Sequence, residues 1–327
     1  MGRMYRSFLP VIDAQASSDL AVGLPTLTQA LEAAFVAAAE GRTTWRPKAT
    51  VICSDGTWLV GTFGRWPEKG LGIFHSIAGT TPVPGRAGPH YRSFQLLTTY
   101  RDVAPLALVG DSITSTMLPA CVTLLTARRL ARADSAAVAF VGAGAQAVVN
   151  LEALIAAFPI KHVHIASRTS PSAAVFATLV RTKWGLYANT YEDHRAAAAA
   201  ANIIVTSVPN GFGSPSLDPA WAAPGTIVSA VDFGRSWQTG FAAFDRIVTD
   251  DLAQAVAQFN DGRLAHKLDY DTELPALMVG QRPGRQRETE RVIVVHPRNL
   301  VGVLALTAPI YERWKNGDPA PIPEIER

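Results

Sequence analysis

"AFVGAGAQAVVN", residues 139–150, joins an apolar run to a turn of small residues and then to a segment of helical composition. Gly142, Gly144 and Ala147 stand in the spacing G-x-G-x-x-A. Each small residue has its own physical reason. Gly142 permits a tight turn out of a strand, Gly144 lets backbone amides approach a pyrophosphate, and Ala147 lets a helix lie close on the strand. Ala145 and Gln146 open that helix, whose unpaired N–H groups and positive dipole end suit a phosphate. The spacing is short, and a plain small-residue turn also satisfies it. Its weight comes from the context, a strand-like "AAVAFV" before and a helical segment after.

The next strand-like run, "HVHIAS", ends in Ser167-Arg168-Thr169. An NAD-selective site places an Asp or Glu near this point, on the ribose 2′-hydroxyl. Between Ala145 and Tyr191 the only acid is Glu152, inside the intervening helical segment. A guanidinium flanked by hydroxyls suits a 2′-phosphate instead, so NADP(H) is the expected cofactor. The competing reading makes Arg168 a solvated loop residue. Further on, "IIVTSV" brings Thr206, Ser207 and Val208 to a strand end, where they are expected to border the cofactor.

Outward from this point, wholly apolar runs alternate with Ala-rich helical ones, the pattern of a parallel sheet covered on both faces. The first hundred residues differ. A helix is expected over 26–41, followed by short β-like runs ("ATVICS", "TWLVGTF", "LGIFHSIAG", "SFQLLTTY") separated by turns at 54–56 and 82–90. That is an α+β arrangement with a largely antiparallel sheet. Residues 115–133 read as a helix in which Pro119 is tolerable only in the first turn. "RVIVVHP" and "LVGVLALTAPIYERW" close the chain as strand and helix.

A chain of 327 residues favours two domains, and 48% hydrophobic against 17% charged residues supplies ample core. Lys plus Arg number 30 and Asp plus Glu 27, for a net charge of +3 with no basic stripe, which argues against nucleic acid as a partner. No run reaches the roughly 18–20 apolar residues of a membrane span. The opening fifteen residues lack a secretory apolar segment, so a cytoplasmic location is expected. Cys53 and Cys121 have no metal-type spacing and read as buried free thiols.

The order of these features resembles the ornithine cyclodeaminase/μ-crystallin family. The resemblance rests on "RDVAPLALVGDSIT", "VGAGAQA", "IASRTS", "ANIIVTSVP" and "PGTIVSAVDFG". It implies an α+β substrate-binding and dimerisation domain from residues 1–113 with 300–327, a Rossmann domain over 114–299, and a homodimer. Two departures stand out. Phe74 in "LGIFHS" occupies the family's Lys position, and Met117 in "ITSTMLPA" the position of its carboxylate-gripping Arg. Lys48, with Arg46 beside it, keeps the upstream basic position. The family's acid–base Asp falls at Asp232, which a turn-capping Asp would equally explain. His75 is a second proton-transfer candidate. With Lys48, Phe74 and Met117 lining the substrate pocket, the expected activity is NADPH-dependent reduction of a C=N or C=O bond in a small, weakly charged molecule. An amino-acid cyclodeaminase or dehydrogenase, or a non-catalytic NADPH-dependent binding protein, is the alternative.

Overall fold

The computed structural model describes residues 9–80, 91–110, 113–209 and 215–317. The 82–90 turn therefore lies outside the described residues. The first part opens with β1 (Val11–Ile12), α1 (Ala14–Asp19) and α2 (Leu24–Ala39). Then come β2 (Thr44–Trp45), β3 (Ala49–Ile52), β4 (Thr57–Trp66), β5 (Leu71–Thr80), β6 (Tyr91–Thr99) and β7 (Pro105–Gly110). Among the described residues these form one sheet in the order β1-β7-β6-β5-β4-β2, with β3 beside β4. It is antiparallel apart from the short β1–β7 pair.

Alternation along β5 separates its two faces. Leu71, Ile73 and His75 are buried on the inner side, while Phe74 points outward and is 48% exposed. Helix α2 buries Leu27, Leu31 and Phe35 in the same core as Ile73.

Helix α3 (Ile113–Leu130) leads from this sheet to the second one. Pro119 sits in its interior rather than in the first turn. A proline there leaves the carbonyl four residues earlier without its usual donor. That carbonyl, Ser115 O, accepts from the Gln146 side-chain amide at 3.2 Å, and Thr116 O accepts from the same nitrogen at 3.3 Å. A donor from the glycine turn thus replaces the missing helical one.

The second sheet comprises β8 (Ala137–Val141), β9 (His162–Ala166), β10 (Tyr187–Tyr191), β11 (Ile203–Thr206), β12 (Ile227–Ala230), β13 (Arg246–Thr249), β14 (Thr272–Glu273) and β15 (Val292–Val295). Its helices are α4 (Ala145–Ile155), α5 (Ser170–Trp184), α6 (His194–Ala199), α7 (Leu252–Asn260) and α8 (Leu274–Met278). The strand order is β10-β9-β8-β11-β12-β15-β13-β14, parallel throughout. Every residue of β11, β12 and β15 is buried, as expected for strands covered on both faces. Helix α9 (Leu300–Asn316) returns to pack on α2, α3 and the first sheet.

The architecture is the doubly wound α/β plus α+β combination expected from the sequence. Among the described residues no helix is long and apolar enough to cross a membrane, and no His, Cys, Asp and Glu cluster could hold a metal ion. Cys121 is buried, and burial pushes its thiol up to about 11. Cys53 is exposed instead, because it follows the edge strand β3.

Candidate functional site

The order of the second sheet reverses at β8: the chain runs outward through β9 and β10, then returns to β11 on the other side. In such sheets the crevice beyond the carboxyl ends at that point is where ligands sit. The glycine turn lies there. Gly142 has φ +104°, and a Cβ on it would meet the Ser207 backbone C and O at 3.1 Å. Only glycine fits both demands. Gly144 caps α4 without a side-chain hydrogen bond, and a Cβ there would meet nothing within 4 Å. The space over the helix N-terminus is therefore open. Ala147 is fully buried against the sheet.

Ser167, Arg168 and Thr169 follow the end of β9, with Arg168 exposed and Thr169 capping α5. Thr206 ends β11. The Ser207 hydroxyl beside the cradle is buried with no hydrogen-bond partner among the described residues. These features fit a dinucleotide. The Gln146 side chain is committed to α3, which leaves to a phosphate the backbone N–H that the expectation used.

Asp232 follows β12 at the same sheet edge and is 4% exposed. Its Oδ1 accepts from Thr206 Oγ1 at 2.8 Å and Gly234 N at 3.2 Å. Its Oδ2 accepts from Val208 N at 3.4 Å and from Ser236 Oγ. Four donors fill the carboxylate, which is the turn-capping arrangement.

The inner face of the first sheet carries a buried polar row. Thr62, His75 and Gln95 are cross-strand partners on β4, β5 and β6. Gln95 donates to Thr114 of α3 at 3.3 Å, and His75 Nε2 pairs with Ser93 Oγ at 2.9 Å. Lys48 lies at the other end. Its ammonium donates to Arg298 O at 2.5 Å and its amide to Gln254 Oε1 at 2.9 Å, so it ties the two sheets' elements together. Trp45 Nε1 adds a bond to Asp251 at 2.7 Å.

Phe74 does not join this row. It lies on the opposite face of the same strand, beside Phe63 at 6.1 Å between ring centroids. Neighbours on a strand point oppositely, so His75 takes the inward place at this point. Met117 is half-buried against the main core. Phe74 instead lines a groove of about 350 Å³ on that face, together with Arg46, Phe63 and Arg65.

Several residues at the cleft escaped sequence reasoning. The guanidinium groups of Arg235 and Arg298 lie over the Phe233 ring at 4.7 and 5.3 Å, and that of Arg263 over Trp58 of β4 at 5.0 Å. Phe233 (φ +65°) and Arg298 (φ +61°) both hold left-handed backbone, costly for side-chain-bearing residues. Burial, then Asp250's carboxylate neighbour Asp251, pushes Asp250 up to about 8, and burial raises Asp251 to about 6.

The model of the ornithine cyclodeaminase/mu-crystallin family matches residues 11–317. The protein named "Putative dehydrogenase RB0419" from Rhizobium meliloti (strain 1021) is 30% identical over 207 residues, 61% of this chain and 62% of its own length. The match thus spans less than two thirds of that relative. A Delta(1)-pyrroline-2-carboxylate reductase of Bacillus cereus (strain ATCC 14579) is 25% identical over 232 residues, covering 67% of this chain and 70% of the reductase. An archaeal alanine dehydrogenase dimer with bound NAD has a TM-score of 0.82 at 21% identity, covering 94% of this chain and 96% of that one, which shows a shared fold. With a family model spanning nearly all of it, the chain belongs to the ornithine cyclodeaminase/mu-crystallin family.

Proposed function

We propose that the protein is a nicotinamide-dependent reductase of a C=N or C=O bond, using NADPH. The observation that carries the reading is the open cradle of Gly142 and Gly144 at the carboxyl end of β8. The names of similar proteins, a pyrroline-2-carboxylate reductase and an NAD-bound alanine dehydrogenase, support hydride chemistry at such a cleft. Bound NADPH supplies the hydride. Arg168, exposed after β9 where no acid stands, supports the 2′-phosphate preference.

The chain's own residues divide the remaining work. Asp232 fixes Thr206, Val208 and the 234–236 turn, and its filled carboxylate positions rather than transfers. His75, inward on β5 and on the cleft's other wall, is the residue we assign to proton delivery. Lys48 holds the two walls together.

The outer face of the first sheet supports a symmetric homodimer. Val11, Leu59, Phe63, Phe74 and Phe94 are exposed there, and a groove of about 350 Å³ lined by Arg46, Phe63, Arg65, Phe74 and Val103 opens on it. An apolar patch of this kind needs a cover.

The test is NADPH oxidation, followed by absorbance, against a panel of cyclic imines and of keto acids with ammonia. Turnover on one class, reduced at least tenfold by His75→Gln with unchanged NADPH affinity, is the expected result. Tight ligand binding beside NADPH without turnover would return the reading to a binding protein.

A further inference from the structure

We propose that Gln146 is a positioning residue that couples the glycine cradle to the buried polar row of the first sheet. Filling the cradle with NADPH then orders the row to which His75 belongs. The proposal rests on the reductase reading and adds the route by which cofactor binding prepares the first sheet for a substrate.

Gln146 is the second residue of α4, so its backbone N–H is one of the first-turn donors that a helix offers to a phosphate. Its side chain serves a different element. Nε2 donates to Ser115 O at 3.2 Å and to Thr116 O at 3.3 Å, both in α3. Asn150, one turn further along α4 and fully buried, donates through Nδ2 to Gln146 O at 2.8 Å and to Gln146 Oε1 at 3.4 Å. The amide oxygen is thereby engaged within α4, and the amide nitrogen is turned to α3.

The need for this donor is set by Pro119, which lies inside α3 and brings no N–H to Ser115 O. Thr114 stands immediately before Ser115, and its hydroxyl accepts from Gln95 Nε2 at 3.3 Å. Gln95 is in turn the cross-strand partner of His75. One glutamine therefore meets the phosphate position with its backbone and, with its side chain, the turn of α3 that anchors the polar row. The cradle end of this link has room to respond: Gly144 caps α4 without a side-chain hydrogen bond, and nothing lies within 4 Å of a Cβ placed on it. A phosphate taken by the first-turn amides fixes that turn, and the Gln146 amide passes the constraint to α3. Order gained at one site reaches another without a change of shape when a shared group stiffens both.

Hydrogen exchange read by mass spectrometry, on the full chain with and without saturating NADPH, tests the link. The deciding peptides cover the cradle (142–149), the start of α3 (113–122) and β6 (91–99). In the parent, NADPH should slow exchange by at least about threefold in all of them. In Gln146→Met, with NADPH raised until the cradle peptide is protected, the other two should lose their NADPH-dependent protection. A glutamine with only a structural role would instead change α3 exchange by the same factor with and without NADPH. Asn150→Leu, which frees the same amide to turn, should reduce the NADPH-dependent protection of α3 in the same direction. Pro119→Ala returns a backbone donor to Ser115 O, so in that background Gln146→Met should disturb α3 less than it does in the parent. Protection of α3 and β6 that survives in Gln146→Met, or protection confined to the cradle in the parent, would overturn the proposal. A parent whose cradle gains no protection from NADPH would overturn the cofactor reading, and the link with it.

Discussion

Replacing Asp232 tests the geometry of the cleft through stability before any chemistry is measured. Its carboxylate holds two backbone amides, Val208 N and Gly234 N, and two hydroxyls, Thr206 Oγ1 and Ser236 Oγ. In Asp232→Asn the remaining oxygen keeps Thr206 and Gly234, and the Ser236 hydroxyl can turn to accept from the new amide. The Val208 N–H cannot turn and is left facing another donor. One buried orphan costs about 1–3 kcal/mol, so a loss of about 2 kcal/mol is expected. Asp232→Ala orphans all four donors and should cost at least about 4 kcal/mol. Urea unfolding of the cofactor-free protein, compared with parent, reads both values. Both variants should also bind NADPH more weakly, because Thr206, Ser207 and Val208 border the cradle. If Asp232→Ala unfolds within about 0.5 kcal/mol of the parent, the carboxylate does not hold the turn, and its assignment as a positioning residue is wrong.

Four further outcomes follow from the same structure. NADPH should bind at least tenfold more tightly than NADH, a gap of about 1.4 kcal/mol, and Arg168→Asp should erase it in fluorescence titrations. Gly142→Ala combines an unfavourable φ of +104° with a Cβ at 3.1 Å from Ser207 backbone, so it should abolish dinucleotide binding and lower the Tm. Asp250 is raised to about 8, so from about pH 4 to 8 the folded chain keeps a proton that the unfolded chain has lost. That proton makes stability fall as pH rises through the window. Asp250→Asn should therefore gain stability relative to parent between about pH 5 and 8, and a pH-independent difference would refute the assignment. Phe63→Glu with Phe74→Glu should turn a dimer into a monomer by light scattering, and a dimer that survives would move the interface elsewhere.

The glycine turn was legible because its requirements are backbone requirements: positive φ at Gly142, open space at Gly144 and close packing at Ala147. The parallel sheet was legible in wholly apolar runs alternating with helices, whereas its strand order came only with the structure. Pro119 was misplaced because helix-start rules assume that a lost N–H goes unreplaced, whereas Gln146 supplies a donor from another element. The face taken by Phe74 was not legible because this sheet is apolar on both sides, so period-two alternation does not say which side is the cleft. The cation lost at Phe74 looked like a loss of charge from the site. Arg235, Arg263 and Arg298 lie in three loops far apart in sequence, and only the fold brings them near one another.

Hydride transfer itself is the central claim, and isotope transfer reads it most directly. NADPH carrying deuterium at its transferring position should pass one deuterium to the carbon of the reduced C=N or C=O bond, seen as a unit mass increase in the product. A product formed without deuterium, or cofactor left unoxidised while substrate is consumed, would contradict the reductase reading.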